Sequence, residues 1–180
     1  MPGSTPRPVS WLGPVMGEDR VDPLDFRRAM GRFATGVTVV TTFAGAHDHA
    51  MTANALASVS LEPVLLVLSV EQDARWHEAV VESGIWGVSV LGAAARGVAE
   101  WLSTPGRPLH GQLDRIAHHR GARTGVALLD DALTTLECRT SDVHVAGDHS
   151  LMVGEVISVH TPERAEAALV HFRGRYGALQ

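Results

Sequence analysis

The chain has 180 residues, enough for one domain with a full core and no disulfide staples. Hydrophobic residues make up 45% and charged residues 19%, which marks a folding chain rather than a disordered one. The net charge of -5 argues against a nucleic-acid or anionic-membrane surface, and every basic residue is arginine, which excludes pyridoxal-phosphate enzymes and lysine aldolases.

Cys138 is the one cysteine, so no internal disulfide forms and no oxidising compartment is implied. No apolar run reaches the ~18–20 residues of a membrane span. The start has one early Arg, scattered prolines and no apolar h-region, unlike a secretory signal. These features predict a soluble protein of the cytoplasm.

Residues 1–21 read as a flexible tail, broken by Pro2, Pro6, Pro8, Pro14 and several glycines. Residues 22–180 then form the domain. Asp22 as N-cap and Pro23 at the first helical position open a helix, with Leu24, Phe26, Met30 and Phe33 as its apolar stripe and Gly36 as its end. The β-branched run Val37 to Phe43 predicts a strand, followed by a turn over Gly45 to His49. Ala50 to Leu61 reads as partly extended. Val64 to Val70 is apolar on both faces, which predicts a buried central strand.

Asp73 to Ser83 reads as a short helix, Ile85 to Leu91 as a strand, and Gly92 to Leu102 as a helix. Ser103 to Thr124, with its Gly, Pro and His residues, reads as a long surface loop; such length in a compact domain points to function. Leu133 to Val145 and Ser150 to His160 alternate as two long strands joined by a hairpin turn over residues 146–149. A helical turn over Pro162 to Ala168 and a final strand from Leu169 to Tyr176 complete the reading. Six or seven strands without regular βαβ alternation favour an antiparallel barrel flanked by helices.

The strong catalytic motifs are absent: no GxxxxGK[ST], HExxH, CxxC, GxSxG or GxGxxG occurs. His47 and His49 share one turn, and His118 and His119 one loop. Without cysteines or spaced carboxylates they read as exposed loop histidines, and no metal is expected. Two segments stand out. Met51 to Ser60 combines hydroxyls, an amide and small side chains, which would let a flat ligand approach the backbone; it equally fits a strand with a solvent-facing polar side. Gly147, Asp148 and His149 form a hairpin tip whose imidazole could donate, stack or titrate near neutrality, or whose residues simply suit a turn.

Five pieces, in order, carry a family resemblance. They are Phe26 to Thr42; Met51 to Asn54 with Ser58 to Pro63; Leu136 to Cys138; Gly147 to Gly154; and His171 to Tyr176. From about Asp22 to Tyr176 the chain resembles the short-chain NAD(P)H:flavin reductases. The resemblance implies an FMN-binding split β-barrel and a homodimer. It also implies hydride transfer from NADH or NADPH to FMN or FAD, with reduced flavin supplied to a partner monooxygenase. A flavin-dependent oxidoreductase acting directly on an organic substrate, or a non-catalytic flavin-binding accessory protein, are the alternatives.

Carried onto this sequence, the resemblance implies that Thr35, Gly36, Val37 and Thr38 line the flavin pocket. Thr52, Ala53 and Asn54 would hydrogen-bond the flavin, and Ser58, Val59 and Ser60 would run beside the ring edge. Backbone N–H groups would stabilise the anionic reduced ring. His149, the catalytic candidate, would help place the nicotinamide. His171, Arg173 and Tyr176 would close the site, with Arg173 or Arg175 offering charge to a phosphate. The chain departs from the family where a Ser-x-Thr pair often holds the flavin phosphate. Here Ala74, Arg75 and Trp76 stand, leaving Arg75 as the phosphate partner. Ala55, Leu56 and Ala57 also replace a common hydroxyl and aromatic.

Overall fold

A computed structural model describes residues 20–163 and 166–180, so the expected tail lies almost wholly outside the described residues. Helix α1 (Pro23–Met30) starts as read: the Asp22 carboxylate accepts the Leu24 N–H at 2.8 Å. It ends at Met30, not Gly36. Gly31 caps it with its N–H on the Arg27 carbonyl. Thr35 and Gly36 instead form the short strand β1 (Thr35–Gly36), whose backbone pairs with His171 and Val170 across the chain.

Strands β2 (Thr38–Ala44) and β3 (His47–Ala53) make a hairpin around Gly45 and Ala46, a tighter turn than expected. β4 (Leu56–Leu61) pairs with β5 (Val64–Glu71). There follow α2 (Arg75–Ser83), β6 (Ile85–Leu91), a 3-10 turn at Ala93–Ala95 and α3 (Arg96–Ser103). β7 (His118–Arg120) pairs with β8 (Ala127–Leu129). β9 (Ala132–Ala146) and β10 (His149–His160) are the expected long hairpin. β11 (Ala168–Phe172) and β12 (Arg175–Leu179) form a C-terminal hairpin where a single strand was expected. Of the expected helical turn over 162–168, residues 162–163 and 166–167 are irregular, and Arg164 and Ala165 lie outside the described residues.

Seven strands pair antiparallel in the order β3-β2-β6-β9-β10-β5-β4. β3 and β4 are therefore opposite edges of one sheet, yet only Asn54 and Ala55 separate them in sequence. The Cα path from Ala53 to Leu56 spans at most about 11 Å. The sheet must curl until its edges nearly meet, and no ladder joins them. The product is an antiparallel barrel with an open seam, the split barrel the resemblance implies. At the seam the Ser69 N–H donates to the Ala55 carbonyl at 3.0 Å.

One apolar cluster joins Val40, Leu66, Leu68, Trp86, Val88, Cys138 and Met152 of the barrel to Trp76 and Val80 of α2. Gly154 makes room for it: a Cβ there would stand 2.4 Å from Trp86 Cζ2. A second cluster sets Val37, Val39 and Leu91 against Ala99, Leu102, Leu113 and Leu129. Each fully buried aliphatic side chain contributes ~1.5–3 kcal/mol. Leu113 and Gln112 are buried, so the segment after α3 is not wholly a surface loop; it also supplies β7. β5 is not central either. It lies next to the β4 edge and alternates between buried Leu66, Leu68 and Val70 and half-buried Leu65, Val67 and Ser69. No helix among the described residues is long and apolar enough to cross a membrane.

Candidate active site

The seam gathers polar groups around a cavity of about 520 Å³. That falls within the ~300–1,000 Å³ of small-molecule sites. Its walls come from the end of β3 through Ala55, from the end of β5 and the start of α2, and from the segment after α3; His149 completes them.

On the β3 wall the hydroxyls are already engaged. Thr52 Oγ1 donates to the Ala99 carbonyl of α3 at 2.8 Å, and Thr38 Oγ1 donates to the Ala53 carbonyl at 2.8 Å. Both side chains fix the wall, leaving the Asn54 side-chain oxygen for a ligand. Asn54 Nδ2 donates to Thr35 Oγ1 at 3.1 Å.

His149 is held by its turn. Gly147 sits at φ 67°, a left-handed conformation that glycine adopts without strain. Gln72 then clamps the turn from β5. Its Nε2 donates to the carbonyls of Gly147 at 3.2 Å and His149 at 3.0 Å, and its own N–H donates to the Asp148 carbonyl at 3.0 Å. His149 Nδ1 lies 2.7 Å from Asp148 Oδ1, which leaves Nε2 for a ligand. This hydrogen bond holds the Asp148 carboxyl below its ordinary range.

The third wall carries residues that sequence reasoning missed. Arg107 donates to the Thr104 carbonyl at 3.2 Å and, through its other terminal nitrogen, to the Ala50 carbonyl. Gln112 Oε1 accepts the Ala50 N–H at 3.0 Å. Two side chains thus occupy both outward backbone groups of one residue on an edge strand, an exposed valence such strands must manage. Arg75 donates to the Arg107 carbonyl at 2.8 Å. Burial, and then the neighbouring Arg75 charge, push the Arg107 guanidinium below its ordinary value. The only signal for these contacts in the sequence was the unusual length of the segment.

Comparison with known proteins decides the family. Residues 30–180 match the flavin reductase like domain. The chain belongs to that family. It is 38% identical to the NADH-dependent FMN reductase AsuE2 of Streptomyces nodosus subsp. asukaensis, over 93% of this chain and 94% of that protein. It superposes with a TM-score of 0.83 on BorF, the flavin reductase component of a bacterial two-component tryptophan halogenase, at 43% identity, covering 88% of this chain and 98% of BorF. Against the Streptomyces globisporus C-1027 NADH:FAD oxidoreductase SgcE6 in complex with NAD and FAD fragments, the TM-score is 0.80 at 33% identity, covering 89% and 96%.

A flavin fits what this flavin reductase family member presents at the seam. The cavity has the right size, and Trp76 Nε1, Arg107 Nε and His49 Nδ1 on its walls are buried without a partner among the described residues. Of the residues the resemblance singled out, Thr52, Ala53, Asn54, Arg75 and His149 line this cavity. Thr35 reaches it only through Asn54, and Val37 and Thr38 are buried beneath it. Gly36 lies on β1 outside the lining. Ser58, Val59 and Ser60 lie on the β4 edge at a register shift, also outside the lining. His171 and Tyr176 face each other across the C-terminal hairpin, ring centroids 5.6 Å apart. Arg173, Arg175 and Tyr176 line a separate hollow.

Proposed function

We propose that this protein is a flavin reductase that passes a hydride from NADH to FMN or FAD and supplies reduced flavin to a partner monooxygenase. The observation that carries the reading is the seam cavity, where the Asn54 amide and the clamped His149 converge in a chain of this family. Flavin supplies the hydride-accepting ring when bound. The chain's own residues orient and exclude water. The Asn54 amide offers hydrogen bonds, and His149 Nε2, freed by the Asp148 contact, offers one to the nicotinamide. No side chain need act as nucleophile, because holding two rings in contact supplies much of the rate.

The reading includes a homodimer. Helix α1 buries none of its residues, and its Phe26 is 61% exposed; Phe33, just after the helix, is 66% exposed, and Leu61 at the β4 edge is 84% exposed. A second copy would cover such a surface. Light scattering at twice the monomer mass is expected. The reading also places the protein in the cytoplasm, where reduced flavin passes to its partner by diffusion or transient contact. The direct test is NADH consumption with no flavin, FMN, FAD or riboflavin. Flavin-dependent consumption supports the proposal; none with any flavin overturns it.

A further inference from the structure

The turn that carries His149 is held from two directions. Gln72, just after β5, reaches its backbone through the Gly147 and His149 carbonyls. The second hold comes from helix α2. His77 Nε2 lies 2.9 Å from the hydroxyl of Ser150, the residue that follows His149. Backbone bonds of this kind run within a sheet, whereas side chains stand across it. Gln72 therefore fixes the turn along the sheet, and His77 fixes it through the sheet.

Ser150 is 2% exposed, and its register neighbour on β5 is Val70, itself buried. Met152, two residues further along the same face of β10, is fully buried. A hydroxyl placed in such surroundings is costly without a partner, and His77 removes that cost. Satisfaction of the hydroxyl does not account for its being there. A valine would continue the apolar face beside Val70 and leave nothing to satisfy. What the polar pair adds is direction, which apolar contact lacks. Its other end is anchored at the cavity as well, because Arg75 and Trp76, the two residues before His77 on α2, line the walls. The bond thus ties the start of β10 to the wall that His149 completes. His77 itself lies outside the lining, so any effect it has on a ligand passes through the turn.

Resting on the flavin-reductase reading, we propose that His77 is a positioning residue for the nicotinamide. Through the Ser150 hydroxyl it sets where the His149 imidazole stands at the cavity wall.

Amide hydrogen exchange at residues 147–151 is measured together with steady-state kinetics at saturating FMN, for the wild type, His77→Leu, His77→Gln and Ser150→Ala. Loss of the one hydrogen bond should speed exchange at the turn and raise the KM for NADH, each by roughly twofold to tenfold. The KM for FMN and kcat should stay within about twofold. His77→Gln, whose amide can meet the same hydroxyl, should restore most of both. In a His149→Ala background, His77→Leu should add nothing to the KM for NADH. A lowered melting temperature with unchanged KM for NADH overturns the proposal and leaves His77 a packing residue. So does an equal rise in both KM values, or an undiminished effect of His77→Leu once His149 is gone. Should His77→Leu fail to fold, Ser150→Ala decides the question alone, since it deletes the hydroxyl and leaves the half-buried imidazole to water; an unchanged KM for NADH there overturns the proposal. Failure of the flavin-reductase reading is separate: the wild type would then oxidise no NADH with any flavin, while the exchange rates would still report whether His77 holds the turn.

Discussion

Asn54 donates its amide N–H to Thr35 Oγ1 at 3.1 Å, and Thr35 is itself in register with His171. One hydrogen bond thus ties the two-residue link between the barrel's edges to the C-terminal hairpin. It explains why residues 19 and 136 positions from Thr35 behave as one neighbourhood, although only Asn54 among the three lines the cavity.

Replacing Asn54 by Leu should weaken flavin binding by ~1–3 kcal/mol, the cost of losing a well-placed polar group. The melting temperature should barely move, because Asn54 is exposed in the free chain. A flavin titration with a parallel melt checks both. Wild-type affinity would return Asn54 to an ordinary turn residue.

His149→Ala should raise the KM for NADH more than the KM for flavin. The imidazole is placed by Gln72 and Asp148 at the cavity wall, and the variant leaves the clamp on the backbone carbonyls intact. Gln72→Ala should move the same constant in the same direction, since it frees the turn that carries His149. Equal changes in both KM values for His149→Ala would remove the nicotinamide assignment.

Thr52 separates scaffold from ligand contact. Its hydroxyl is spent on the Ala99 carbonyl, so Thr52→Val should cost ~0.5–1.5 kcal/mol of stability. Flavin affinity should change little. Loss of flavin binding at unchanged stability would restore the direct role that the family resemblance gave it.

Glu137 governs acid stability away from the site. Burial alone would raise its carboxyl above the ordinary 4.5, but hydrogen bonds from the Thr124 hydroxyl, the Thr124 and Arg123 N–H groups and Ser158 outweigh it and hold it lower. Its contribution is therefore complete above the unfolded value and is lost as pH falls through the lower native one. Glu137→Gln should destabilise the fold by ~1–3 kcal/mol at neutral pH and flatten the acid limb of the stability profile. An unchanged acid limb would contradict this. Next to it, Cys138 is fully buried, and burial followed by the Glu137 charge pushes its thiol up to about 12, so it stays inert to thiol reagents.

Local chemistry was legible in the sequence. The Asp22–Pro23 helix start and the β9–β10 hairpin at Gly147 depend on neighbours within a few residues, and both stand where they were read. The end of α1 was not legible, because Thr35 and Gly36 find their backbone partners at positions 171 and 170. Val64 to Val70 reads as central because apolar residues fill both faces, yet half-buried Leu65 and Val67 lie next to an edge. At the site, Asn54 and His149 could be singled out by side-chain type. The directions of the Thr38 and Thr52 hydroxyls could not, since their acceptors are set by tertiary packing. Nor could Arg107, whose partner Ala50 lies 57 positions away.

The most direct measurement is anaerobic. Mixing the protein at catalytic concentration with NADH and FMN, and following both absorbances together, isolates the hydride transfer from any later reaction with oxygen. The account predicts that oxidised flavin and NADH disappear in equal amounts, far faster than without protein. Loss of NADH without flavin reduction, or flavin reduction no faster than in the protein-free control, would contradict it.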